Sequence, residues 1–473
     1  MMKSALLGIA LCSLALGSVA MELGTNFWDL GWHDYQDCFK NRDKVNPADP
    51  WNPQFLEEIK IYSTLRFMDW GKTNDAEVTS WEQRILRSNP SQKIVAYEYM
   101  IELCNRNNSN MWVCYPTHIV NATMTTQVPD YALRLGILIK TGVDMKKVDL
   151  TPFVNKLATM SAADFIAKGG VKTTEPLRAD LKVYFEYSNE TWNPTFDQWD
   201  YCKEQAKKIN PTFPPAIKRP NDHHYSWAWH PFAAIRCHRA IDLVFGENHP
   251  QVVKVMAAQR MDTQVFMNKK ALETQNPWNV KIDALAVAGY FGDGEDGSLP
   301  DFEAKMREQM ALHTARHAEL AKLAKEYGWK MLCYEGGQHL RVKADMANYL
   351  PVMYNLYMDY FEANKPYFDL FIHYVHVGKC DEAGCWGAIL KTGQTQSSPK
   401  YKALSDWSAI YNNTNTPTRQ PLTPPLRQFA RHAATTQATF SLSGRRLARP
   451  PHTFGIHLEL DNLGILRPVI SAP

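Results

Sequence analysis

The stretch Lys182-Val183-Tyr184-Phe185-Glu186-Tyr187-Ser188-Asn189-Glu190-Thr191-Trp192-Asn193 begins as a buried strand and ends as a loop. Val, Tyr and Phe fit a pleated, packed surface, whereas Ser and Asn compete for backbone hydrogen bonds and favour turns. Similar runs rich in Val, Ile, Tyr and Phe recur near 23–28, 61–68, 111–115, 252–258, 282–290, 329–334 and 368–376, which with 181–187 makes eight. The intervals carry apolar residues at helical spacing, most clearly from Asp301 to Tyr327. Strands alternating with helices imply an α/β protein with a parallel sheet, and eight such units predict a (β/α)₈ TIM barrel. Periodicity alone leaves a doubly wound sheet open. In a barrel, the strand ends open onto the rim where substrates meet side chains, so Glu190 is expected there.

A second string, Lys330-Met331-Leu332-Cys333-Tyr334-Glu335-Gly336-Gly337-Gln338-His339, delivers one carboxyl group from an apolar strand into two glycines that permit a tight turn. Two glutamates at two strand ends suit glycosidic bond cleavage. One carboxyl, held protonated by apolar surroundings, protonates the departing oxygen, while the other attacks the anomeric carbon. Trp192 crowds Glu190, so the raised pKa and the acid/base role are expected at Glu190 and the nucleophile at Glu335. The plainer alternatives are a helix cap at Glu190 and a structural ion pair between Glu335 and Arg66. Glu186 and Asp69 read as supporting hydrogen-bond partners.

An Asn-Glu pair ending the fourth strand and a lone Glu ending the seventh resembles the retaining barrel enzymes of glycoside hydrolase clan A. More narrowly, the chain is similar to a poorly characterised group of clan-A-like secreted proteins. The residues concerned are Leu65-Arg66-Phe67-Met68-Asp69-Trp70 with Thr73-Asn74, Glu186 to Glu190, Tyr334 to His339, and Trp386-Gly387, and the likeness covers roughly 22–410. It implies that Arg66 orients the nucleophile, Asn189 contacts the substrate 2-hydroxyl, Tyr290 sits beside Glu335, and Trp386 forms a sugar-stacking floor. Pro116-Thr117-His118 departs from the Pro-His of the group, so no histidine role is carried over there.

Two other clusters read less sharply. Gly292-Asp293-Gly294-Glu295-Asp296-Gly297 matches a dinucleotide-binding glycine pattern in form, but its three acidic residues would repel a phosphate. It reads as a loop flanking the cleft, and its spacing fits no familiar calcium loop. His223, His224 and His230, among Tyr225, Trp227 and Trp229, read as a rim loop, with one Trp available to a sugar. The expected reaction needs no cofactor and no metal.

Length and composition set the frame. A chain of 473 residues with 45% hydrophobic residues, 14 Trp and 21 Tyr can bury a large core and keep aromatic surface for a ligand. Lys3, an apolar run from Ala5 to Leu16 and Ser18-Val19-Ala20 form the pattern of a signal peptide cleaved after Ala20, which predicts a secreted, extracellular protein. No later apolar run is long enough to insert in a membrane. Eight cysteines then remain, with Cys380–Cys385 and Cys202–Cys237 as candidate disulfides and Cys114 and Cys333 as buried thiols or bridges. Sequons at Asn107, Asn121 and Asn412 suit a glycoprotein, and the one at Asn189 is expected to stay bare. Seven Arg against two acidic residues fall in 418–473, leaving 1–417 at net −2, so the formal charge of +3 gives no sign of nucleic-acid binding by the main domain.

The domain expectation is a signal peptide over 1–20, a catalytic barrel over 21–415 and a Pro/Arg-rich, disordered tail over 416–473, in which 463–470 could dock as a strand. The functional expectation is a monomeric retaining glycoside hydrolase of carbohydrate metabolism, acting on a β-linked polysaccharide or oligosaccharide through a covalent intermediate. The alternative is a non-catalytic glycan-binding or extracellular-matrix protein on the same barrel.

Overall fold

The eight runs singled out in the sequence are eight parallel strands closed on themselves. They are β1 (Glu22–Asn26), β2 (Thr64–Phe67), β3 (Asn110–Tyr115), β4 (Val183–Tyr187), β5 (Val252–Ala257), β6 (Ala284–Phe291), β7 (Lys330–Gln338) and β8 (Leu370–His373). Each pairs with its sequence neighbours, and β1 meets β8 with Glu22 opposite Leu370, so the sheet is a (β/α)₈ barrel. The computed structural model describes residues 21–28, 30 and 37–411, with three short strands further on. The expected signal peptide lies outside the described residues.

Alternation along the strands sorts their side chains. Phe185, Tyr187, Val287 and Cys333 pack outward against the helices, while Trp112, Tyr184, Leu332 and Ile372 fill the barrel. The filling is uneven in size. Trp112 and Tyr184 stack with ring centroids 5.2 Å apart on β3 and β4, and β6 supplies Ala284, Ala286 and Ala288 to the same interior. Large rings against small side chains fill the interior without strain.

The pairing of β6 with β7 slips by one residue: Val287 lies opposite Cys333, but Ala288 lies opposite Glu335. β8 shows the same slip, with Phe371 opposite Cys333 and His373 opposite Gly336. Tyr334 is thus an extra residue in β7. Strict alternation would send Tyr334 and Glu335 to opposite faces, and a bulge lets both turn to the barrel mouth.

The helix expected at Asp301–Tyr327 is Phe302–Glu326. Two readings need correction. His223, His224 and His230 do not form a rim loop but lie on a 24-residue helix, Asp222–Phe245, whose amino end is capped by the Asn221 side chain accepting from the His224 N–H. Pro231 inside that helix and apolar residues on all its faces hid it. Cys202 and Cys237 are free, buried thiols rather than a bridge, each held in the core by its own helix, while Cys380–Cys385 is a disulfide.

No helix among the described residues is long and apolar enough to cross a membrane. The chain divides into Met1–Thr414 and Asn415–Pro473. In the second unit Thr439–Phe440, Gly455–Leu460 and Leu466–Ser471 form an antiparallel sheet, and the last overlaps the stretch 463–470. The rest of the tail, whose disorder was expected, lies outside the described residues.

Candidate active site

Arg66 on β2 stands at the centre of the mouth, fully buried. Its Nε and Nη2 donate to Glu186 Oε2 on β4 at 2.9 and 2.8 Å, its Nη2 to Asn189 Oδ1 at 2.9 Å, and its Nη1 to Asn26 Oδ1 at 3.0 Å. Glu186 takes a third bond from Trp112 Nε1 at 2.8 Å. Burial opposes the Arg66 charge, but Cys114, Glu186 and Glu335 outweigh it and hold the guanidinium above its ordinary value. A charge this deep is stable only when paired and hydrogen-bonded.

Glu335, 5% exposed, faces the same cation. Its Oε2 is 3.7 Å from Arg66 Nη1 and accepts from Asn26 Nδ2 at 3.4 Å, and Tyr290 on β6 donates to its carboxylate. The short bonds of Arg66 go to Glu186, Asn26 and Asn189, so its hold on Glu335 is an ion pair with Asn26 bridging the two. Gly336 and Gly337 follow directly. Gly337 has φ +127°, and a Cβ there would sit 2.8 Å from Tyr357 Oη.

Glu190 lies beyond β4, partly exposed. Tyr334 Oη donates to its Oε1 at 2.6 Å and Asn193 Nδ2 to its Oε2 at 2.8 Å. Ser188 and Glu190 both have left-handed backbone, φ +59° and +39°, a conformation that costs a residue with a Cβ about 1–2 kcal/mol. Thr117 and Ser188 share a hydroxyl hydrogen bond of 2.6 Å, and Thr191 Oγ1 lies 3.3 Å from His230 Nδ1. His230 Nε2 accepts the Ala257 N–H at 3.2 Å, and burial pushes its pKa down to about 3, which keeps the ring neutral.

Burial raises the Glu335 pKa well above the usual carboxylate range, and the Glu190 charge raises it further against the pull of Arg66 and Tyr290. The sequence reading had reserved that direction for the other glutamate. Burial is the larger cause and the Glu190 charge adds to it. Arg66 is tied by short bonds to Glu186 and by a longer ion pair to Glu335, so it offsets only part of the burial of Glu335. Burial and the two glutamate charges raise Tyr334 as well, and burial with the Glu335 charge raises Tyr290, so both phenols stay protonated donors.

Asn189 is buried with Oδ1 on Arg66 and Nδ2 3.2 Å from Asn74 Oδ1, which Gln198 Nε2 also bonds at 2.8 Å. Trp386 lies beyond β8, partly exposed, with its ring centroid 5.7 Å from His339 and 6.2 Å from Tyr374. Tyr290 completes this aromatic wall at 4.7 Å from His339 and 5.7 Å from Tyr374. All six residues singled out for the site, Arg66, Asn189, Glu190, Tyr290, Glu335 and Trp386, therefore belong to one mouth. Sequence reasoning missed Asn26 and Tyr334 as members of the site and placed His230 on a loop instead of a helix. Tyr334 alone left a signal, as an aromatic residue directly before the strand-end Glu. Among the described residues no group of three or more His, Cys, Asp or Glu is arranged to hold a metal.

No family model and no curated protein matches the chain. Solved structures with similar chain paths include an α-L-arabinofuranosidase from Thermotoga maritima, at 12% identity and TM-score 0.49, covering 94% of this chain and 80% of that one. A modular endo-β-1,4-mannanase from Cellulomonas fimi has 11% identity and TM-score 0.39, covering 93% and 77%. Xylanase B from Clostridium stercorarium F9 has 10% identity and TM-score 0.39, covering 82% and 97%. None of these similarities bears on which residues act here.

Proposed function

We propose that the protein is a secreted, monomeric, retaining glycoside hydrolase that cleaves a β-linked glycan without a cofactor. The observation that carries this reading is the pair Glu190 and Glu335, delivered by β4 and β7 to one mouth and close enough for the charge of one to raise the pKa of the other. Double displacement needs one of the two carboxyl groups protonated and the other ionised at the start. Arg66 and Tyr290 pull Glu335 toward its ionised form against burial and the Glu190 charge, and this reading gives the proton-donating role to Glu190 and the attacking role to Glu335.

In the first step a Glu335 oxygen forms a bond to the anomeric carbon as the glycosidic bond breaks and Glu190 gives its proton to the departing oxygen. In the second, Glu190, now ionised, takes a proton from water, whose oxygen displaces Glu335 from the anomeric carbon and restores both carboxyl groups. Asn26 and Tyr290 hold the attacking carboxylate in place, and Tyr334 and Asn193 hold the acid. Asn189 retains one N–H for the 2-hydroxyl, and the Trp386 ring covers the apolar face of the sugar.

The test is hydrolysis of a polysaccharide panel by the wild type, Glu190→Gln and Glu335→Gln, with mass mapping after exposure to activated 2-deoxy-2-fluoro glycosides. Each variant should lose roughly 10²–10⁴-fold in rate, and the fluorosugar should label Glu335. Hydrolysis retained by both variants, or a label on a different residue, would sink the assignment.

A further inference from the structure

His339 follows the Gly-Gly turn of β7, and its backbone N–H is tied to Phe291 O at 2.7 Å. Its ring lies between Tyr290, 4.7 Å away, and Trp386, 5.7 Å away, so it is part of the wall that faces the nucleophile. Nδ1 is 3.2 Å from Asp293 Oδ1, and the side chain is 23% exposed. Nε2 has no protein partner among the described residues. Asp293 comes from the acidic glycine loop, which the proposed reaction leaves without a role. Gly292 has φ +77°, and the turn it makes brings Asp293 back over the mouth. The hydrogen bond to His339 is the leading cause that holds the Asp293 carboxylate below its ordinary range, so this acceptor stays ionised and fixes Nδ1 as a donor. With Nδ1 committed, Nε2 is left as a hydrogen-bonding group set between the ring faces of Tyr290 and Trp386.

We propose that His339 contacts the sugar, its Nε2 hydrogen-bonding a hydroxyl of the glycone on the β6–β8 edge, with Asp293 as the residue that positions the ring. This rests on the glycosidase reading and assigns the face of the sugar opposite Asn189, which reaches the mouth from β4. A polyhydroxylated ring stacked on Trp386 supplies such a hydroxyl, and an apolar ligand does not.

The experiment is calorimetric titration of the full chain with iminosugars of gluco, manno and galacto configuration, whose ring cation is drawn to the paired carboxylates. At least one should bind the wild type. His339→Phe keeps a ring between Tyr290 and Trp386 and should weaken that binding about tenfold, the scale of one lost hydrogen bond. His339→Gln should recover part of the loss. Asp293→Asn should weaken binding less, and its effect should vanish in the His339→Phe background, as positioning through His339 requires and an independent structural role does not. Binding by His339→Phe as tight as wild type overturns this assignment and leaves the glycosidase reading standing. Failure of every iminosugar to bind the wild type overturns both.

Discussion

The two sides of the barrel mouth are built from different materials. On the β1–β4 side Asn26, Arg66, Glu186, Asn189, Asn74 and Gln198 bond one another in a buried lattice, with nearly all their polar atoms committed. On the β6–β8 side Tyr290, His339, Tyr374 and Trp386 meet ring to ring and stay partly exposed. Charge held by a lattice cannot move, which suits carboxyl groups that must meet a bond at fixed places. Ring faces grip without demanding a single orientation, which on the proposed reading suits a floor that admits and releases a sugar. If this division is right, perturbing the lattice should cost folding and turnover together, whereas perturbing the wall should act on binding.

Arg66→Met tests the lattice hardest. It leaves Glu186 buried without its cation, and breaking a buried pair in this way costs about 3–5 kcal/mol. Urea unfolding should show that loss, and turnover should disappear with it. Adding Glu186→Gln removes the orphaned charge and should return part of the stability without restoring turnover, because Glu335 still lacks Arg66. A stability loss below about 1 kcal/mol for the single variant would show that the lattice is loosely coupled, contrary to the measured scale for such pairs.

The wall has its own buried charge beneath it. Lys400 Nζ bonds Cys385 O, which also accepts from Gln338 Nε2 at 2.5 Å, next to Trp386. Burial lowers the lysine pKa from 10.5 to about 7. Below about pH 7 both the folded and unfolded chains carry the proton, and folding bears the full cost of burying it. Between about 7 and 10.5 the unfolded chain binds more protons than the folded one, so the Lys400 contribution to stability rises with pH. Lys400→Met should therefore gain most over wild type at pH 7 or below, and the gap should narrow by roughly 2 kcal/mol between pH 7 and 9, since one unit is about 1.4 kcal/mol. A gap that does not change with pH would mean that this ammonium is hydrated.

What could be read in advance follows the same division. The eight strands were legible because each is a run of side chains suited to a packed sheet, and Glu190 and Glu335 because a carboxyl at the end of such a run has few structural uses. The lattice was only half legible. Arg66 and Asn189 came from motif resemblance, but Asn26 is one polar residue ending a five-residue strand, and nothing local marks it. Tyr334 left only its place before Glu335 as a signal, because alternation assigns the two to opposite faces, and the slip against Val287 and Ala288 that reverses this depends on neighbouring strands. His230 was misplaced for a different reason: Pro231 reads as a helix breaker, and the tertiary packing of an otherwise buried helix overrides that local signal.

The smallest expected effect concerns the backbone between lattice and acid. Ser188 is buried with φ +59°, and its hydroxyl is paired with Thr117 at 2.6 Å. Ser188→Gly alone mixes two opposed changes, relief of the left-handed strain and loss of a partner for the Thr117 hydroxyl. In a Thr117→Val background the second is already spent, so Ser188→Gly should stabilise that variant by about 1 kcal/mol. The functional consequence runs the other way. A glycine lets the segment relax and swing Glu190 off the line to the glycosidic oxygen, so kcat should fall while KM holds. Stabilisation accompanied by unchanged kcat would mean that Tyr334 and Asn193 hold Glu190 by themselves, and that the lattice ends at Asn189.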